Sequence, residues 1–323
     1  MGVVTTVLGP MDAASIGPVL AAETLICEPV PTVGNAGLPA GDAAFERAPV
    51  RMSMLGRLMM GAPNLDDRTL GPIDAAIALE TLGAAGGGAV VVLSDGRTEI
   101  ASAAELARLS SLSGVSIVRG GDGSDPADGL IGAIPVGEAA AARAAAEQAA
   151  RTGLALALAL DTGSESSAAF RSVELALRAV DDGGLARDRV ILIGAQHALA
   201  GSHPRLGTDP GALERLLEFG TALCFDDLGR IPTVRTEISD HEIAVAILRC
   251  AQLGAGHRVL LSCGIRQKHR LTAFGGNGLE FIATQLLPYL GMLGADEELR
   301  AAVGGGNAAR LLARATTAEG AAQ

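Results

Sequence analysis

A chain of 323 residues with 49% hydrophobic side chains and 43 glycines is long enough to close one large core and is rich in turns. A net charge of −11 and an aromatic content of 2% exclude nucleic acid and an anionic membrane surface as partners, because the first needs cations and stacking rings and the second needs cations. The four cysteines, Cys27, Cys224, Cys250 and Cys263, show no CxxC spacing and read as buried thiols of a reducing cytosol. No charged and then apolar leader opens the chain, and no apolar run reaches the roughly 18–20 residues of a membrane span, so a cytoplasmic location is expected.

In chain order, Val3 to Pro10 reads as a short strand and turn, and Ile16 to Cys27 as the first barrel strand. Glu28 to Met52, rich in Pro, Gly and Ala, reads as a long loop. A helix over Ile73–Ala85 stops at Gly86-Gly87-Gly88 and is followed by a buried strand over Ala89–Leu93. Next come a helix over Ala101–Leu112, a strand over Val115–Val118 and the loop Gly120-Gly121-Asp122-Gly123, which lacks the lysine of a phosphate-binding loop. Leu130–Ile134 is a strand and Glu138–Ala150 an alanine-rich helix. In Gly153-Leu154-Ala155-Leu156-Ala157-Leu158-Ala159-Leu160-Asp161, large and small apolar side chains alternate strictly. Period two with both faces apolar predicts a parallel strand covered by helices, its leucines outward and its alanines toward a crowded barrel centre.

The second half repeats the alternation. Helices are expected over Phe170–Val180, Pro210–Glu218 and Asp240–Leu253, and strands over Val190–Ile193, Thr221–Phe225 and Val259–Ser262. The tail carries helices at about Gly278–Leu290 and Glu297–Val303, then Asn307–Leu312. Short buried strands separated by helices imply a parallel sheet, and their number favours a single-domain α/β fold, a closed (β/α)8 TIM barrel spanning 1–323. A doubly wound open sheet is the alternative.

The order of segments resembles the phosphotriesterase-like branch of the amidohydrolase superfamily over nearly the whole length. The resemblance rests on Thr6-Val7-Leu8-Gly9-Pro10, Asp188-Arg189-Val190-Ile191-Leu192-Ile193-Gly194 and Cys224-Phe225-Asp226-Asp227-Leu228-Gly229-Arg230. It rests further on Arg258–Ser262 with Gln267-Lys268, on Leu271–Gly278, and on Asn307–Leu312. The resemblance implies two divalent metals that acidify a bridging water, held by histidines, an aspartate and a bridging carboxylate. Those ligand positions fall here on Ala22 and Thr24 around Glu23, on Ala133, on Ala159, on Ala195 (or Gly194) and on Gly264. None of these side chains replaces a ligand, so the expectation is no metal, no cofactor and no hydrolysis of the family type.

Asp95, Asp161, Asp226 and Asp227 are the acids at strand ends, and Asp161 shares the inward parity of Ala159. Cys263, where the family carries histidine, is a candidate nucleophile if a base lies near. Arg230 and Arg266 are candidates for the pocket mouth. His197 and His203 follow the strand-six position, while His241, His257 and His269 read as surface residues. The leading expectation is a catalytically inactive family member serving as a structural or regulatory subunit, as a homo-oligomer or in a heteromer with an intact relative. The alternatives are a barrel that binds a small molecule and a metal-independent hydrolase or lyase using Asp161, Asp227 or Cys263.

Overall fold

The computed structural model describes residues 2–28, 40–94, 100–160, 166–200, 211–233 and 236–314. Two short strands, β1 (Val3–Thr6) and β2 (Gly9–Asp12), form an antiparallel hairpin before the barrel begins. Eight parallel strands follow in sequential order: β3 (Val19–Glu23), β4 (Ala89–Val92), β5 (Ser116–Gly121), β6 (Asp128–Pro135), β7 (Leu156–Ala159), β8 (Val190–Ile193), β9 (Ala222–Phe225) and β10 (Val259–Leu261). Between and after them lie α1 (Ala40–Arg47), α2 (Leu55–Met59), α3 (Pro72–Ala84), α4 (Ala103–Ser113), α5 (Ala139–Thr152), α6 (Ser166–Asp182), α7 (Ala195–Leu199), α8 (Ala212–Glu218), α9 (Asp240–Gln252), α10 (Leu287–Met292), α11 (Glu297–Ala301) and α12 (Asn307–Leu312). This is a nearly closed (β/α)8 barrel.

The alternation of β7 sorts as its pattern demands. Leu154, Leu156, Leu158 and Leu160 pack in the outer layer under the helices, and Ala155 and Ala157 pack on the barrel axis. The same division runs through β8, with Val190 and Leu192 outside and Ile191 and Ile193 inside. Small residues such as Ala21, Ala89 and Ala222 share the axis with Val91 and Leu130. Val4 of the hairpin and Ala308, Leu311 and Leu312 of α12 join that inner cluster and plug the base. The ends of the described chain meet there: the Arg314 N–H donates to the Val3 carbonyl at 2.9 Å and Arg314 Nε to Thr5 Oγ1 at 2.9 Å.

The seam between β10 and β3 carries no continuous ladder; a buried carboxylate closes it instead. Glu23 Oε1 accepts from Ser262 Oγ (2.6 Å), Cys263 N (2.6 Å) and Gly264 N (3.1 Å), and Oε2 from Ile265 N (3.1 Å). Ser262 Oγ in turn accepts from Ala22 N at 2.9 Å.

The structure revises three expectations. The stretch expected as one loop contains α1, whose Asp42 and Arg47 sit in the first and last turns, where the helix dipole favours them; residues 29–39 lie outside the described residues. Gly120 and Gly121 end β5 rather than form a loop. A Cβ on Gly121 would stand 2.2 Å from the Asp128 carboxylate, which accepts from Arg119 and from the Gly123 N–H, so that glycine-rich turn is occupied internally. His269 is buried rather than on the surface, and it bonds to Asp67.

Candidate functional site

Among the described residues, the positions that the family resemblance assigns to metal ligands do not form a cation cage. Ala22 belongs to the inner cluster, Ala133 packs against it, and Ala159 follows Leu158 with inward parity. Thr24 is buried toward α3, beside Leu70 and Ala78. Ala195 is fully buried in the outer layer, so it does not line the barrel axis. Gly264 has φ +56° and crosses the Asp226 carbonyl so closely that a Cβ would stand 1.9 Å from that oxygen. The nearest acid, Glu23, is already engaged by four donors. Among the described residues no three His, Cys, Asp or Glu side chains gather as a metal site. The described residues therefore do not fit the pair of divalent cations that the family pattern implies.

A cavity of about 440 Å³ opens instead beside the C-terminal ends of β8, β9 and β10, where a barrel presents its chemistry. Gln196, His197, Asp227, Arg230, Asp240, His269 and Arg270 line it. Gln196 belongs to α7, which begins directly after β8 at Gly194, whose φ of +80° turns the chain sharply. Its amide clamps Asp226: Nε2 donates to Asp226 Oδ1 at 2.7 Å and Oε1 accepts from Asp226 N at 3.2 Å. Burial raises the Asp226 carboxyl above the usual range, opposed by the Gln196 hydrogen bond and by the charges of Arg266 and His197. Arg266 itself is exposed.

Asp227 is an ion-pair centre. It accepts from Arg270 Nη1 at 2.7 Å and from Arg230 Nε. Arg270 is buried and also donates to the Leu228 and Cys263 carbonyls, both at 2.9 Å, so it binds the loops after β9 and β10 together. His269 Nδ1 donates to the Asp67 carboxylate, 2.9 Å from both oxygens, and the His269 backbone N–H donates to Asp67 Oδ1 at 2.9 Å. That pair fixes the imidazole at the cavity wall. His197 Nδ1 lies 4.0 Å from Glu237 Oε2.

Cys263 is corrected as a nucleophile. Its thiol is fully buried in the outer layer, directed at the Leu279 carbonyl, and burial pushes its pKa well up, so no thiolate reaches the cavity. Asp95, Asp161 and His203 lie outside the described residues. Of the sequence candidates, Asp227, Arg230 and His197 line this mouth, and Asp226 is buried against Gln196 of its wall. Gln196, Asp240 and the Asp67–His269 pair were not foreseen from the sequence.

Asp240 gives the mouth a pH response. Ser239 caps α9, with Glu242 Oε2 accepting from the Ser239 N–H at 2.7 Å, and this sets Asp240 at the first helical position against the Gly229 N–H. Burial lifts its carboxyl to about 6 against the pull of Gly229 and Arg270. A rise of that size from near 4 corresponds to roughly 3 kcal/mol. The folded state holds the proton more tightly, so this stability is complete below about pH 4 and lost as pH climbs through about 6. Asp240→Asn mimics the protonated acid. The substitution is expected to stabilise the protein by about 1–2 kcal/mol at pH 7.5, after loss of a favourable helix-terminus charge, and to change little at pH 4. Urea denaturation at the two pH values measures it.

The family model for the phosphotriesterase family matches residues 129–307. No curated protein matches the chain. A resiniferatoxin-binding protein from Rhodobacter sphaeroides superposes with a TM-score of 0.80 and 25% identity, covering 97% of this chain and 95% of that one. The fold is shared with the phosphotriesterase homology protein of Escherichia coli complexed with phosphate (TM-score 0.65, 16% identity, 92% of this chain and 99% of that one). It is shared also with the lactonase Lmo2620 of Listeria monocytogenes (TM-score 0.69, 15% identity, 97% of this chain and 100% of that one). With the barrel and its mouth in place, the match over residues 129–307 shows that this chain belongs to the phosphotriesterase family.

Proposed function

We propose that this chain is a family member that has given up two-metal hydrolysis and uses its mouth to bind a small organic molecule. The carrying observation is the pairing of a side-chain-poor former ligand ring with an intact polar cavity of about 440 Å³. Arg270, His269 and Gln196 are fixed by buried hydrogen bonds before any ligand arrives, and such preorganisation lowers the cost of binding. The Rhodobacter sphaeroides relative, a resiniferatoxin-binding protein, agrees with this reading. One surface feature favours a protein partner in addition: Ile73 and Ile77, one turn apart on α3, are 76% and 45% exposed, and Ile77 lines a shallow groove with Phe274. This supports a role as a structural or regulatory subunit.

The test combines metal analysis with thermal shift. Protein produced in zinc-supplemented medium is expected to hold only traces of divalent metal and to show no turnover of lactones or phosphotriesters. Compounds from a small-molecule panel are expected to raise Tm saturably, and by less for Arg270→Gln. Two tightly held zinc equivalents with turnover abolished by a chelator would overturn the reading.

A further inference from the structure

A second cavity lies at the opposite end of the barrel. It measures about 400 Å³ and opens at the N-terminal ends of β8, β9 and β10, beside α12. Its wall carries Arg189, Arg258, Arg310, His257 and Asn307, with Asp188 as the one acid. In a protein of net charge −11 this concentration of cations is out of character.

The arginines of this wall are held differently from the ion-paired ones elsewhere. Arg57, Arg119, Arg143, Arg187, Arg230, Arg249 and Arg270 each meet a carboxylate. Among the described residues, Arg189, Arg258 and Arg310 meet only carbonyl or amide oxygens. Arg189 donates to the Leu311 carbonyl at 2.7 Å and the Gly153 carbonyl at 3.0 Å. Arg258 donates to the Thr221 carbonyl at 2.7 Å and the Leu217 carbonyl at 3.0 Å. Arg310 donates to the His257 carbonyl and to Asn307 Oδ1 at 3.2 Å.

These carbonyls orient the guanidiniums without neutralising them. Arg189 Nε is buried with no hydrogen-bond partner. Burial depresses the pKa of both Arg189 and Arg258, opposed at Arg189 by Asp188. Partly desolvated positive charges with donors to spare are costly alone and are stabilised by an anion that offers several oxygens at once. The volume exceeds what one inorganic ion fills.

We infer that this base cavity, remote from the mouth, is a binding site for a small multiply charged oxyanion, of the phosphate-ester or polycarboxylate class. The inference does not depend on what the mouth binds. Isothermal titration calorimetry on the full chain, with pyrophosphate and with citrate at an ionic strength fixed by sodium chloride, tests it. One anion is expected to bind per chain. Tighter pyrophosphate assigns a phosphorylated ligand, tighter citrate a polycarboxylate, and either supports the site. Arg310→Gln, an exposed position, is expected to weaken binding at least tenfold while leaving Tm without anion unchanged. His257→Gln, also exposed, is expected to weaken it about threefold. Absence of saturable heat with both anions, or binding lost in Arg230→Gln at the mouth but kept in Arg310→Gln, would overturn the assignment.

Discussion

Glu23→Ala is expected to remove about 4 kcal/mol or more of stability, enough to bring a domain of ordinary stability, roughly 5–15 kcal/mol, near unfolding. Among the described residues, the carboxylate accepts from the backbone N–H groups of Cys263, Gly264 and Ile265 and also holds the Ser262 hydroxyl, all inside the barrel wall. Each buried donor left unpaired costs about 1–3 kcal/mol, and alanine abandons all of them at once. Ser262→Ala is the graded comparison. It strands only the Ala22 N–H and frees one Glu23 bond, so about 2 kcal/mol is expected. Equilibrium denaturation of both variants measures the ratio. Equal, small effects would mean that the seam between β10 and β3 is held by something other than this carboxylate.

Gly264→Asp, which writes the family's ligand back into its position, is expected to cost at least about 3 kcal/mol and to bring no metal with it. The backbone there is left-handed at φ +56°, a region that strains any residue with a side chain by about 1–3 kcal/mol. The added Cβ would also lie 1.9 Å from the Asp226 carbonyl oxygen, a backbone atom with no room to retreat. The obstacle to an aspartate here thus lies in the path of the chain after β10 and is not a matter of one side chain. Denaturation midpoints and metal analysis of the variant check this; a stable variant carrying bound zinc would show that the loop relaxes freely.

Much of the barrel was legible because its determinants are local. The Leu-Ala alternation of β7 needs only neighbouring residues to declare which face meets helices, and Val190–Ile193 is bounded by a polar turn and a glycine. Helix α1 was hidden by the Pro and Gly around it, although its own residues are good helix formers. The site was legible only as a set of replacements. What occupies the mouth depends on pairs that no window of sequence contains: Glu23 reaches residues about 240 positions away, and Asp67 meets His269 across 202. Cys263 misled for the opposite reason. Its position in the motif was clear, but its side chain turns into the outer layer, and burial removes its reactivity.

The bond between Arg314 and Val3 sets the two ends of the described chain side by side at the barrel's base. A few flexible residues would bridge them, and the polypeptide is then free to be opened elsewhere, for instance at the exposed turn around Gly254, without parting any barrel strand from its neighbours. The order in which the β/α units are synthesised becomes separable from the order in which they stand around the axis.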